Sequence, residues 1–499
     1  MRPQKWREFT TSLTSNLAGD LHTPSEEQKA CFRRIHALAV GGRRVVADYD
    51  SRLSFLLQLL RDDQLREFNS ATETPVHARL LLGLLRHQAN LKCLRVRLDW
   101  AVGADAIDEV ASWTVDSTSL LASALRRLKT LRIYIGDSLM PGAYTQALHD
   151  YEVAYNGLLL AAAPHLDRLE ICGWRWQGMS QHQEIRLNGP LEHPFGANQI
   201  PRTLRHLIIA DLDLSGAEDG LVRALNLETL SLLKLEYCDR VGAFLRVLAA
   251  ALRRKTKIPL KTLTVRTSPR NKGGKTDCML GALDDLLQSF DGLVELECNF
   301  FFAAYVDWKS SLCRHPGLRK LHISSVLMTD GYASYPGTII EILARCRNLH
   351  YFAYHPVAPY FDCIIDCELP TELSSRFCES LDAVAAAPAL CMLRLLYAPG
   401  IDEDKLNRHN DAWVEKAAQI AQRFATLVLT YIHLRGSNIR VLALSPESRW
   451  KQDRGDSNLH FYPHYFYKLQ IAEFEGQRIV NAVPLRDYVA ECPEFAVFT

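Results

Sequence analysis

A six-residue pattern, apolar-x-x-apolar-x-apolar, recurs along nearly the whole 499-residue chain and restricts what it can fold into. Clear copies are LKCLRV from Leu91, LKTLRI from Leu128, LDRLEI from Leu166, LRHLII from Leu204, LETLSL from Leu227 and LKTLTV from Leu260. LVELEC from Leu293, LRKLHI from Leu318, LHYFAY from Leu349, LCMLRL from Leu390 and IRVLAL from Ile439 follow, and IHALAV from Ile35 and LREFNS from Leu65 come before them as weaker copies. Successive starts lie 23 to 49 residues apart, room for one strand, one helix and two connections. The spacing is irregular, unlike that of a fixed-period array.

Amphipathic segments such as VHARLLLGLLRHQ, VGAFLRVLAAALRR, GALDDLLQSF and TIIEILARCRN fill the intervals. Their apolar residues recur at helical spacing, as Leu80, Leu81, Leu84 and Leu85 do. Several stop at Asn90, Pro164, Pro316, Asn348 or Pro388 just ahead of the next strand. Within each strand the second and third apolar positions fall on one side, because side chains alternate across a strand. That side needs cover, which the neighbouring helix supplies. One strand-helix module cannot bury its own apolar face, so consecutive modules must stack. A doubly wound α/β domain shows the same alternation, but thirteen modules exceed an ordinary open sheet. The expected fold class is therefore α/β, an irregular leucine-rich-repeat solenoid with parallel strands on its concave face and helices on its convex face. The expected organisation is an N-terminal segment or cap over residues 1–30, the solenoid over 31–445 and a C-terminal cap over 446–499.

The phrases NLKCLRV, LRRLKTLRI, HLDRLEI and GLRKLHI resemble the irregular repeats of fungal F-box/leucine-rich-repeat proteins, over roughly residues 30 to 445. A regular repeat places Asn three residues after the last strand apolar. Here that place holds Asp99, Gly136, Trp174, Leu212, Leu235, Ser268, Phe301 and Val326, so the usual asparagine ladder is missing. The resemblance implies an N-terminal F-box docking a Skp-type ubiquitin-ligase adaptor, and a solenoid that selects a protein for ubiquitination. WREFTTSLTSNLAGDLHTPSEE lacks the Leu-Pro-x-Glu-Leu opening of that module. The matching string Leu369–Leu373 sits between two modules, and SSRFCESLDAVAAAP after it is needed as a module helix. The chain then reads as a relative lacking a recognisable F-box, with a stand-alone binding protein outside ubiquitination as the alternative. An enzyme with an unrecognised site is a third reading.

Lys and Arg total 58 against 57 for Asp and Glu. So even a balance argues against a dedicated nucleic-acid binder, whose footprint is strongly basic. The 13 cysteines are scattered, several inside apolar runs (Cys93, Cys298, Cys346, Cys391), as reduced thiols used as small apolar side chains are. MRPQKWREFTTSL has no continuous apolar core of a signal peptide, and no apolar run reaches the ~20 residues that span a bilayer. These features predict an intracellular chain, cytoplasmic or nuclear, with no membrane partner.

Chemical motifs are sparse. Lys272–Thr276 lacks the first glycine of a phosphate-binding loop, Pro269 standing there, and reads as a solvated connection. Cys363 and Cys367 lack a second pair at zinc-binding spacing and read as buried thiols. HFYPHYFYKL, with His460 and His464, reads as a terminal strand covering the last module. No catalytic residue, metal site or cofactor is expected. The candidate contacts with a partner protein are instead strand residues that alternate with the buried ones: Arg95, Arg97, Arg132, Tyr134 and Arg168 early, then His322, Tyr351, His355 and Arg394. Arginine and aromatic side chains of this kind anchor protein interfaces. Trp174 and Trp176, in a long interruption after Leu166, are loop candidates.

Overall fold

The computed structural model describes residues 8–12, 36–41, 53–54, 57–70, 76–96, 98–99, 125–135, 165–173, 202–267, 276–300, 308–312, 314–325, 336–356, 373–396, 411–445, 465–475 and 477–493. It divides into two compact units, Met1–Pro259 and Leu260–Thr499. The fold is α/β, with strands that are mostly parallel.

In the first unit, parallel pairing joins in order β1 (Glu8–Ser12), β2 (Ala37–Gly41), β3 (Glu67–Ser70), β5 (Cys93–Arg95), β7 (Thr130–Ile135), β8 (Arg168–Gly173), β9 (His206–Ala210) and β10 (Leu232–Cys238). Two short pieces, β4 (Val76–His77) and β6 (Leu98–Asp99), pair separately. The helices here are α1 (Ala78–His87), α2 (Glu218–Ala224) and α3 (Val241–Leu252) among the described residues. β1 lies in the stretch read from sequence as an N-terminal segment or cap.

In the second unit, β11 (Thr262–Thr267), β12 (Glu295–Phe300), β13 (Lys320–Ser325), β14 (Tyr351–Tyr354), β15 (Met392–Leu396) and β16 (Val441–Ser445) run parallel. Between them come α4 (Thr276–Gln288), α5 (Trp308–Leu312), α6 (Pro336–Arg345), α7 (Ser375–Ala385) and α8 (Asp411–Leu434). The parallel order stops at β16. There β17 (Tyr465–Phe474) pairs antiparallel and turns back into β18 (Gln477–Pro484), followed by α9 (Tyr488–Glu491). α8 lies against this hairpin, with Gln422 Nε2 donating to the Ala482 carbonyl at 3.3 Å.

The sequence pattern becomes a ladder of buried side chains. Leu94, Leu131, Leu169, Leu207 and Leu233 are in register across the first unit, and all are fully buried. Leu263, Leu296, Leu321, Phe352, Leu393 and Leu442 do the same in the second. Helices cover this side: Tyr354, one alternation beyond Phe352, donates its hydroxyl to Ser380 of α7 at 3.3 Å. α7 itself is the helix SSRFCESLDAVAAAP requires, opened by Ser374, whose Oγ accepts from the Phe377 N–H.

The backbone repeats as faithfully as the leucines. The carbonyl one residue past each leading apolar accepts two N–H groups from the next strand. His36, Arg66, Lys92, Lys129, Asp167 and Arg205 do this in the first unit. Lys261, Val294, Arg319, His350 and Cys391 do so in the second. One module departs from the sequence reading. β10 pairs Leu232 with His206, which aligns Leu230 with Leu204 and makes the repeat LSLLKL rather than LETLSL. The run LETLSLLKL satisfies the six-residue pattern in both frames, and pairing with β9 selects the later one.

Side chains join the modules where the asparagine ladder was expected to be missing. In several modules the residue just before a leading apolar donates to the carbonyl two residues before the preceding one. Asn90 reaches Asp63, Arg127 reaches Ala89, Asn348 reaches Pro316 at 2.9 Å and Asn438 reaches Pro388 at 2.8 Å. The strand-exit asparagines are missing as read from the sequence, and these entry contacts are interrupted where Pro259, Gly292, Gly317 and Ala389 take the same place. Three residues before a leading apolar, Gln88 and His315 do parallel work deeper in. Gln88 accepts from the Leu65 N–H at 2.7 Å and donates to Arg61. His315 Nδ1 accepts from the Leu293 N–H at 3.2 Å, so its Nε2 carries the hydrogen and donates to Leu287 at 3.0 Å. Burial foremost holds the His315 pKa down, to about 4, so the ring is neutral at pH 7.

Candidate functional site

The residues alternating with the leucine ladder form the opposite face of each unit. In the first, register aligns Asn69, Arg95, Arg132, Glu170, Ile208 and Lys234 in one row. Arg168, two residues before Glu170 on β8, shares its face. Three of the sequence-predicted residues are thereby brought together around one carboxylate. Arg168 Nε donates to Glu170 Oε1 at 2.7 Å, and Arg95 approaches the same oxygen at 3.3 Å. Arg132 donates to Oε2 through both Nε and Nη2.

The Glu170 side chain is wholly buried, while those of Arg95, Arg132 and Arg168 are 25%, 27% and 35% exposed. The carboxylate lies beneath and the guanidiniums lie over it. Burial alone would raise the Glu170 pKa. The three arginines, Arg132 foremost, outweigh it and hold the carboxyl below its usual value. Sequence reasoning found the arginines and missed Glu170, which it assigned no role. Its signal was the run Arg168-Leu169-Glu170, which places opposite charges on one strand face.

Tyr134 was expected to meet a partner. It is buried, 7% exposed, with its ring 6.0 Å from the Arg132 guanidinium carbon and its hydroxyl accepting from Arg132 Nη1 at 3.2 Å. Its ring and hydroxyl thus meet Arg132 rather than open solvent. Arg97, Trp174 and Trp176 lie outside the described residues, as do Lys272–Lys275, Cys363, Cys367, His460 and His464.

In the second unit the equivalent row aligns Thr264, Glu297, His322 and Ala353 across β11 to β14, and continues through Arg394 to Ala443. Arg266 donates twice to Glu297 Oε1, at 2.7 and 3.0 Å. Burial tends to raise the Glu297 pKa; His322, when protonated, and Arg266 overcome it and bring it down to about 2. Burial also depresses His322, to about 3, leaving it neutral at pH 7, so Arg266 supplies the counter-charge there. Burial depresses the half-buried His355 to about 4. Arg394 is half-buried and donates to Ser445 Oγ at 3.0 Å.

Tyr351 does not serve as an accessible contact. It is 1% exposed, in a cluster with Ala353, Met392, Val441, Ala443 and Cys492, against which Phe466 and Leu485 pack. The chain after β16 folds back over this end of the face and buries its apolar surface. Burial raises the Tyr351 pKa, with Arg394 partly offsetting it.

Among the described residues, no group of three or more His, Cys, Asp or Glu is placed to hold a metal ion, and no helix is long and apolar enough to cross a membrane. Buried thiols are pushed away from reactivity, Cys346 to about 12 by desolvation. No family model matches the chain, and no curated protein matches its sequence.

Proposed function

We propose that this chain is a non-enzymatic, leucine-rich-repeat-like solenoid that binds a protein partner on the face of its strands turned away from the leucine ladder, a face free of helices among the described residues. The observation that carries this reading is the recurrence, strand after strand, of one backbone arrangement that turns leucines to the helices and polar residues away from them. Extended faces of that kind are what stacked modules offer to partners.

Site-specific photo-crosslinking tests the reading. A benzophenone side chain at His206 or Lys234, on the helix-free face, should capture a discrete protein in native extract. The same probe at Ala243 or Arg246, exposed on α3, should not. Capture from α3 alone, or from neither face, would overturn the assignment. Recovery of a Skp-type adaptor with the full chain would place the scaffold among ubiquitin-ligase receptors; its consistent absence would leave a stand-alone scaffold.

A further inference from the structure

We infer that Arg95, Arg132 and Arg168 form a recognition site for an acidic peptide segment, whose carboxylates would sit over the guanidiniums on the side away from Glu170. The inference rests on the proposed binding role of this face and names the chemistry recognised there.

Three guanidiniums meet one carboxylate, so two positive charges are left over at this point of the face. A carboxylate has about four lone-pair sites, whereas each guanidinium has five N–H donors. Glu170 is therefore filled, and most arginine donors remain for something else. One is stranded outright: Arg95 Nε is buried and has no hydrogen-bond partner. A buried unpaired donor on a charged group costs free energy unless a ligand or water completes it.

The arrangement is also pre-organised. Glu170 fixes the heads of all three arginines, and Tyr134 holds Arg132 from below. The side-chain entropy that a partner would otherwise have to remove is already lost on folding. Two acids flank this cluster: Glu67, on β3 beside the strand of Arg95 and one alternation away, and Glu236, on β10 two strands beyond Glu170. Planar, forked donors suit carboxylates in pairs. Glu170 occupies the inner side as an example of the geometry that the outer side would repeat.

Fluorescence anisotropy with the full chain tests this. The probes are a labelled octaglutamate peptide, a glutamine octamer, and a phosphoserine peptide of equal length. Octaglutamate should bind and the glutamine octamer should not, with affinity falling as salt rises. Arg168→Gln, the most exposed of the three, should weaken binding about tenfold, and Arg168→Lys by less, since the charge stays and the fork is lost. Arg205→Gln, outside the cluster and paired with Asp167, should change little. Circular dichroism confirms folding of each variant. Octaglutamate failing to bind at 100-fold excess, or binding equally to Arg168→Gln, would overturn the proposal. Much tighter binding of the phosphoserine peptide would replace carboxylate by phosphate. If crosslinking at His206 still captures a partner while octaglutamate ignores Arg168, the scaffold reading survives and this inference alone fails.

Discussion

Around β7 and β8 the helix-free face carries Arg132, Arg168 and Glu170, and its guanidiniums reach solvent. Around β14 to β16 the positions equivalent to Arg168 carry Tyr351, Met392 and Val441, those equivalent to Arg132 and Glu170 carry Ala353, Arg394 and Ala443, and the segment after β16 packs Leu485 and Cys492 against them. On the other side of the strands the two regions are alike: Leu131 and Leu393 are both fully buried members of their leucine ladders. A parallel strand module thus specifies one of its faces and leaves the other free to vary. The buried leucines face the helices in both units, and the two units differ on the face away from them.

The largest expected effect tests the shared side. Leu131→Ala and Leu393→Ala each remove a buried strand leucine, and each should cost about 2–5 kcal/mol in denaturant unfolding of the full chain. Similar costs would uphold the equivalence. A negligible change in either would mean that its ladder is not a core.

Glu170→Gln tests the side that differs. The substitution leaves three guanidiniums crowded without a counter-charge, at about 2 kcal/mol. That is below the ~3–5 kcal/mol of a wholly buried pair, since the arginines keep some water. The pH dependence has a definite sign. A carboxyl held below its ordinary pKa in the folded chain stabilises above the ordinary value, and the gain is lost as pH falls through the folded value. The wild type should therefore lose stability in acid more steeply than the variant. Equal acid limbs would mean that the arginines do not hold Glu170.

A third test exchanges the two bridging residues. Gln88 and His315 occupy equivalent places and bond equivalent backbone groups, but only the histidine can titrate. Its folded pKa is about 4 against an ordinary 6.5. Between those values the unfolded chain takes up a proton that the folded chain cannot accept, so stability falls as pH drops through that window and is unaffected above it. His315→Gln should fold at pH 7 and flatten this slope by the share that His315 contributes. Gln88→His should add a slope of the same sign. A His315→Gln profile that overlays the wild type would show that the buried imidazole is not kept neutral.

The strands and the inward leucines were legible in sequence because burial imposes a hydrophobic period on every module alike. The frame of β10 was not: Leu227 and Leu230 both open a valid six-residue match, and only hydrogen bonding to β9 separates them. Outward residues were legible as types but not as fates. Nothing local to Tyr351 says that Cys492, far along the chain, will lie over it, whereas Arg168 and Glu170 carry their pairing on one strand. The entry contacts of Asn90, Asn348 and Asn438 were not legible, because an asparagine ahead of a strand has the same local signature as a helix stop.

Those asparagines give the smallest effect and the finest test of equivalence between the units. Asn348→Ala removes a 2.9 Å bond to the Pro316 carbonyl at the surface, and Asn438→Ala removes one of 2.8 Å to Pro388. Water can replace the lost donor at an exposed site, so each should cost no more than about 1 kcal/mol. Asn90 makes the corresponding bond in the first unit at 3.5 Å, and Arg127 shares its side-chain oxygen; Asn90→Ala should cost less still. Chemical denaturation of the three variants measures the order. A larger loss at Asn90 than at Asn348 would show that the entry contact is tied to the arginine side of the first unit rather than to the repeat itself.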